Sequence, residues 1–164
     1  MKTLYLLRHA KSSWKQPELS DFDRPLNGRG REAALLVGQY IRKKKIRPEL
    51  LLCSPAERAR QTAVLVRESS RLALEVRYDE RIYEADVARL LEVVSQIEES
   101  ASVAMLVGHN PGLEELLELL TGEAHHMPTA TLACVSLDVE KWSKARASAG
   151  RLDCLLRPKE LGGF

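Results

Sequence analysis

The hydrophobic pattern of the chain switches repeatedly between two periods. Short unbroken apolar runs read as buried strands, and longer segments with apolar residues three or four apart read as helices packed by one face. The first run predicts a strand over Thr3–Arg8, with Leu4 to Leu7 apolar. After a polar loop, Ala33, Leu36, Val37, Tyr40 and Ile41 recur at helical spacing, with Asn27 placed to cap a helix that ends near Lys45. Leu50–Cys53 is a second strand, and Ser54 and Pro55 are the N-cap and first-turn residues of a helix over Ala56–Ser69. "LALEVRY" is a third strand, and Val87, Leu90, Leu91, Val94 and Ile97 mark a helix over Asp86–Glu99. "SVAMLVGH" is a fully buried fourth strand, and "NPGLEELLELLTG" a helix closed by Gly122. "TLACVSLDV" and "RLDCLLRP" are later strands with no helix-length segment between them, which predicts an antiparallel pair, and "RPKELGG" reads as a tail leaving the last strand. The alternation predicts an α/β layer fold around a largely parallel sheet.

At 164 residues the chain suits one domain spanning positions 1 to 164, and 45% hydrophobic residues suffice for a sizeable core. The net charge of +2, with both signs interspersed, gives no electrostatic case for nucleic acid or an anionic membrane as partner. The run Arg42-Lys43-Lys44-Lys45 suits a solvated helix C-terminus. No apolar run approaches the ~20 residues that cross a bilayer, and Arg8, His9 and Lys11 break the first run too early for a secretory signal. Cys53, Cys134 and Cys154 lie in or beside apolar runs, which predicts buried, reduced thiols and a cytoplasmic location.

Three of the predicted strand ends carry chemistry. Ligands of open α/β sheets bind outside the carboxyl ends of the strands. The first strand ends in Arg8-His9, the second leads into "CSPAERARQT" with Arg58 in the first helical turn, and the fourth ends in "VGHNPG" with His109 before a helix. Two permanently charged guanidinium forks and two imidazoles on one rim suit a phosphate dianion, and helix N-termini add backbone donors. An imidazole with a free lone pair attacks phosphorus, and phosphoryl transfer asks chiefly for in-line positioning and neutralised oxygens. Arg8, Arg58 and His109 are therefore candidate phosphate ligands and His9 the candidate nucleophile, a set that calls for no metal. Each alone has a plainer reading, as a surface pair, a solvated helix arginine or a turn histidine; their joint occurrence points to chemistry.

These segments also carry a resemblance. "LLRHA", "SPAERARQTA" and "VGHNPG" resemble the histidine phosphatase superfamily, whose fold is phosphoglycerate-mutase-like. "RHAKSSW", "DFDRPLNGRG", "RIYEA" and "MPTATLACVSL" resemble its SixA-type phosphohistidine phosphatase branch, and the likeness runs in order along nearly the whole chain. It implies a three-layer α/β/α sandwich, mostly parallel with an antiparallel edge, and no metal or organic cofactor. It implies hydrolysis of phosphohistidine or small phosphomonoesters through a covalent phosphohistidine on His9. Arg8, Arg58 and His109 then complete the phosphate pocket, Ser12 donates a hydrogen bond to phosphate, and the partner is a phosphorylated protein or a small phosphate. Ala10 stands where the superfamily usually has glycine, and Lys15 where mutases often carry asparagine. The insertions that build a sugar-phosphate lid are absent, which implies a shallow, open site. Two alternatives stand beside the hydrolase. A sugar-phosphate phosphatase or mutase is disfavoured by the missing lid, and a phospho-ligand binding module with little turnover is not indicated by a sequence that keeps its nucleophile.

Glu84, in "RIYEAD", stands near the position where many relatives carry a glutamate general acid; a loop or helix-cap carboxylate is the other reading. Asp23 and Arg24 are expected to pair in their loop, with Asp21 a further carboxylate near the mouth of the site. Trp14 either contacts substrate or pins the first loop to the core. His125 and His126 belong to a solvated loop or line the mouth of the pocket. Gly28 and Gly30 are expected to serve backbone geometry at the start of the first helix.

Overall fold

A computed structural model describes residues 1–161. The parallel strands are β1 (Lys2–Arg8), β2 (Leu50–Cys53), β3 (Val76–Tyr78) and β4 (Val103–Gly108), each followed by a helix: α1 (Gly28–Lys43), α2 (Glu57–Ser70), α3 (Val87–Ser95) and α4 (Gly112–Thr121). Two antiparallel strands follow, β5 (Leu132–Leu137) and β6 (Gly150–Leu156), and the six form one sheet in the order β3-β2-β4-β1-β5-β6. The fold is the predicted mixed α/β sandwich with an antiparallel edge.

The unbroken apolar runs follow from burial on both faces of the sheet. Leu4 and Leu6 of β1, Leu50 and Leu52 of β2, and Ala104 and Leu106 of β4 pack with Leu90 of α3 and Leu113 and Leu117 of α4. Their alternating neighbours, Leu7, Leu51, Cys53, Met105 and Val107, pack with Ala34, Val37 and Ile41 of α1 and Ala59, Ala63 and Val66 of α2. Strands β1 and β4 are paired, yet α1 and α4 cover opposite faces. Their carboxyl ends therefore open a crevice, the position where such sheets bind ligands.

Several element boundaries differ from the sequence expectation. The third strand is shorter than "LALEVRY": only Val76–Tyr78 pairs, because its partner β2 offers only Leu51–Cys53 to it. The helix predicted over Asp86–Glu99 runs from Val87 to Ser95, with the Asp86 carboxylate accepting from Arg89 N at 2.8 Å as its cap. Ser54 is not a helix cap, since Ala56 takes that position. Asn27 is the cap of α1, accepting from Gly30 N at 2.8 Å. The last strand ends in a 3-10 turn, Pro158–Leu161, and the remaining glycines of the predicted tail lie outside the described residues.

Gly30 matters for space rather than for backbone freedom. A Cβ there would lie 2.1 Å from the carbonyl oxygen of Lys11, which also accepts from Asn27 N at 3.0 Å. The N-terminus of α1 is thus pressed directly against the loop that leaves β1. Gly30→Ala must push that loop away and is expected to cost about 1–3 kcal/mol, read as a lower urea midpoint at unchanged slope. Gly28→Ala, where a Cβ would meet nothing within 4 Å, is expected to stay within ~0.5 kcal/mol of the parent.

Candidate active site

Strand β1 delivers Arg8 and His9 to the crevice, and neighbouring backbone holds them there. His9 N donates to Gly108 O of β4 at 3.0 Å, Arg8 N donates to Thr131 O at 3.0 Å, and Ala130 N donates to both Arg8 O and His9 O, at 3.1 and 3.0 Å. On the other side, Ala10 N donates to Thr62 Oγ1 at 2.9 Å, and the same hydroxyl donates to Arg58 O at 2.7 Å. Thr62 therefore ties the loop after β1 to the turn of α2 that carries Arg58.

The structure brings Arg8, His9, Ser12, Arg58 and His109 to one cavity of about 340 Å³, together with Lys11, Trp14, Arg24, Asn110 and Thr129. The His9 and His109 ring centroids are 5.1 Å apart. His9 Nδ1 lies 2.7 Å from Ala10 O. A carbonyl only accepts, so that contact assigns the proton to Nδ1 and the lone pair to Nε2. His109 Nε2 lies 2.8 Å from Ser54 Oγ, which also accepts from Ala56 N at 3.2 Å. That contact commits Nε2 to Ser54 and leaves Nδ1 as the ring nitrogen free to meet a ligand. That nitrogen, Arg8 Nε and Arg58 Nε are buried without a hydrogen-bond partner among the described residues. Two unpaired buried guanidinium donors, with an unpaired imidazole nitrogen beside them in one cup, suit an anion, because leaving buried donors unmatched is costly.

The surrounding residues manage the charge. Arg8 Nη1 donates to Met127 O at 3.0 Å. Glu114 of α4 fixes that segment, accepting from Met127 N at 2.6 Å and from Asn110 Nδ2 at 2.9 Å. Arg58 is buried, and its two terminal nitrogens donate to Asp21 O at 2.7 Å and Asp21 Oδ2 at 3.0 Å. Tyr83 donates to the same Oδ2 at 2.7 Å, and Arg24 Nη2 donates to Oδ1 at 3.1 Å. Burial alone would raise the Asp21 pKa, but the hydrogen bonds from Tyr83, Arg24 and Arg58 and the charge of Arg58 lower it to about 2. Burial lowers His9 to about 3; its bond to Ala10 opposes the shift, and the charges of His109, Arg58 and Arg8 reinforce it. Burial, with Arg58 and Arg8 adding repulsion and Asp21 opposing, lowers His109 to about 4. Both imidazoles are thus neutral at pH 7.

Other sequence expectations are relocated. Ser12 lines the cavity as its site role requires; its hydroxyl accepts from Arg24 Nη1 at 2.6 Å, which leaves its own hydrogen to donate. Arg24 pairs with Asp21 and not with Asp23, which accepts from Ser20 instead at 2.9 Å. Glu84 is exposed and lines a separate cavity of about 140 Å³ with Arg81, Asp86 and Arg89. Its backbone takes a positive φ of 53°, and it is not among the residues that line the cup. His126 Nδ1 meets Glu114 Oε2 at 2.8 Å, and both His125 and His126 line an acidic groove with Glu115 and Glu118 rather than the cup. Among the described residues no three His, Cys, Asp or Glu side chains are grouped to hold a metal. Sequence reasoning missed Ser54, Asp21 as the partner of Arg58, and the clamp formed by residues 127–131. A buried arginine in α2 demands a carboxylate, and "DFDRP" held two, but spacing along the chain could not choose between them.

Residues 4–110 match the model of the histidine phosphatase superfamily (branch 1). The chain is 34% identical over 119 residues to an uncharacterized protein of Mycobacterium leprae, covering 71% of each chain. A crystal structure from Agrobacterium tumefaciens, assigned as the phosphohistidine phosphatase SixA, superposes with a TM-score of 0.83 at 32% identity, over 96% of this chain and 98% of that one. A structure with the same assignment from Nakamurella multipartitia gives 0.83 at 28% identity, over 96% of both chains.

The lowered imidazole pKa values set the direction of an acid effect. The unfolded chain takes protons on both rings from about pH 6.5 downward, whereas the folded chain resists until about 4 and 3. Their contribution to stability is therefore complete above pH 6.5 and lost as pH falls through that window. Urea midpoints measured from pH 7 to pH 4 are expected to fall, and to fall less in His109→Gln.

Proposed function

The chain belongs to the histidine phosphatase superfamily, and on that premise we propose that it hydrolyses phosphohistidine, or small phosphomonoesters, through a phosphoryl group carried on His9. The observation that carries this reading is the His9 tautomer beside unpartnered donors. Nδ1 is committed to Ala10 O, so the lone pair sits on Nε2 in the same cup as Arg8 Nε, Arg58 Nε and His109 Nδ1.

In the first step the Nε2 lone pair forms a bond to phosphorus while the bond to the leaving group breaks, its electron pair departing with that group. Arg8 and Arg58 neutralise the equatorial oxygens, and His109 donates from Nδ1. In the second step water attacks the phosphorus on His9, the P–N electron pair returns to Nε2, and the water proton ends on phosphate or solvent. Asp21 is ionised and Glu84 lies outside the cup, so no protonated carboxyl attends the leaving group. An alkoxide needs one. A phosphorylated imidazole does not, because its other nitrogen takes a proton near neutral pH and the ring departs neutral. This favours phosphohistidine over alkyl phosphates. The assignment of the Agrobacterium relative as a phosphohistidine phosphatase supports the same substrate class. The shallow, open site implied by the missing lid insertions suits a phosphate borne on a protein, and the unpaired thiols of Cys53, Cys134 and Cys154 suit the cytoplasm.

Incubation with phosphohistidine or an activated aryl phosphate is expected to leave an acid-labile, alkali-stable phosphoenzyme that is lost in His9→Ala together with turnover. An acid-stable adduct would overturn His9 as acceptor. Arg58→Lys, which loses the planar fork, is expected to reduce kcat/KM by about 10²-fold or more. Glu84→Gln is expected to leave alkyl and phosphohistidine substrates within about twofold of the parent, since a residue outside the cup supplies no proton to the transition state.

A further inference from the structure

We propose that the indole of Trp14 is a stacking shelf, adjoining the phosphate cup, for the planar ring that carries the phosphoryl group: an imidazole or an aryl ring. Only the naming of that ring as a leaving group rests on the phosphatase reading.

Trp14 is 76% exposed, so it does not pin the loop to the core. An indole carries a large apolar surface that a flat partner can cover. It is nevertheless held from one side. The guanidinium carbon of Arg24 lies 3.6 Å from its ring centroid, a stacked cation–π contact. Arg24 is buried and is itself fixed by Asp21 and by Ser12 Oγ. The ring is thereby positioned through a polar chain and not through core packing.

That chain runs straight into the cup. Asp21 Oδ1 accepts from Arg24 and Asp21 Oδ2 accepts from Arg58, so one carboxylate sets the shelf and a phosphate ligand in fixed relation. The indole lines the same cavity as His9, Arg58 and His109. It also forms a wall of a second groove of about 370 Å³ with Lys11, Lys15 and Asn27. The space bounded by these walls adjoins the phosphate cup, and the indole is the one aromatic ring among the described residues that lines both. A flat ring laid against it buries apolar surface on both partners, whereas a small alkyl group covers little of it.

The test separates ring binding from catalysis. Phenylphosphonate and methylphosphonate carry a P–C bond that is not hydrolysed, and above both second ionisations each presents a dianion. Calorimetric titration of the parent protein is expected to show about three- to tenfold tighter binding of phenylphosphonate. That preference is expected to disappear in Trp14→Ala and to survive in Trp14→Phe. A parent without ring preference, or a preference that persists in Trp14→Ala, would overturn the shelf. A preference that depends on Trp14 in a protein that never phosphorylates His9 would support the shelf and overturn the hydrolase reading instead.

Discussion

The site depends on keeping two guanidinium groups, Arg8 and Arg58, side by side at the rim of a sheet and partly shielded from water. Like charges in such surroundings repel, and each asks for partners. The fold answers with a small number of them. Arg8 is held by the carbonyl of Met127 and Arg58 by both the carbonyl and the carboxylate of Asp21. The buried Nε of each is left unmatched. Burial first, with the charges of Arg58 and Arg8 adding to it, holds the two imidazoles neutral. An electropositive cup with a neutral nucleophile is the combination that both attracts a phosphate dianion and leaves an imidazole lone pair free to attack it.

Precision comes from backbone contacts that surround this charge. His9 is bracketed by Gly108 of one neighbouring strand and Ala130 before the other. Thr62 ties the same loop to Arg58, and Gly30 admits the Lys11 carbonyl at a distance that no side chain would tolerate. These contacts tie the loops at the strand ends to β1, β4, α1 and α2, which is what holds reacting groups within the narrow range that phosphoryl transfer requires. Asp21 extends the same order outward through Arg24 to Trp14, so the exposed indole is registered to the cup although it belongs to a polar loop.

The carboxylates divide into those that local sequence could place and those it could not. Asp86 caps α3 three residues ahead of its bonding partner, an interaction within one turn. Asp21 and Arg58 are joined across the fold, and Asp23 competes with Asp21 on equal terms in the sequence. Glu84 follows the third strand, yet it lines a different cavity, with Arg81 and Arg89. Ser54 looks like a cap because a helix follows it, but its hydroxyl accepts from Ala56 N and contacts His109.

The sequence by itself determined the order of strands and helices, the burial of the sheet on both faces, and the arrival of Arg8, His9, Arg58 and His109 at strand ends. Each of these follows from hydrophobic period and from groups a few residues apart. Only the tertiary structure decided which carboxylate meets Arg58, which nitrogen of His9 keeps the lone pair, and where Glu84 and Trp14 face. Those outcomes depend on hydrogen bonds between segments distant along the chain, whose directions are set only once the sheet and its covering helices have packed.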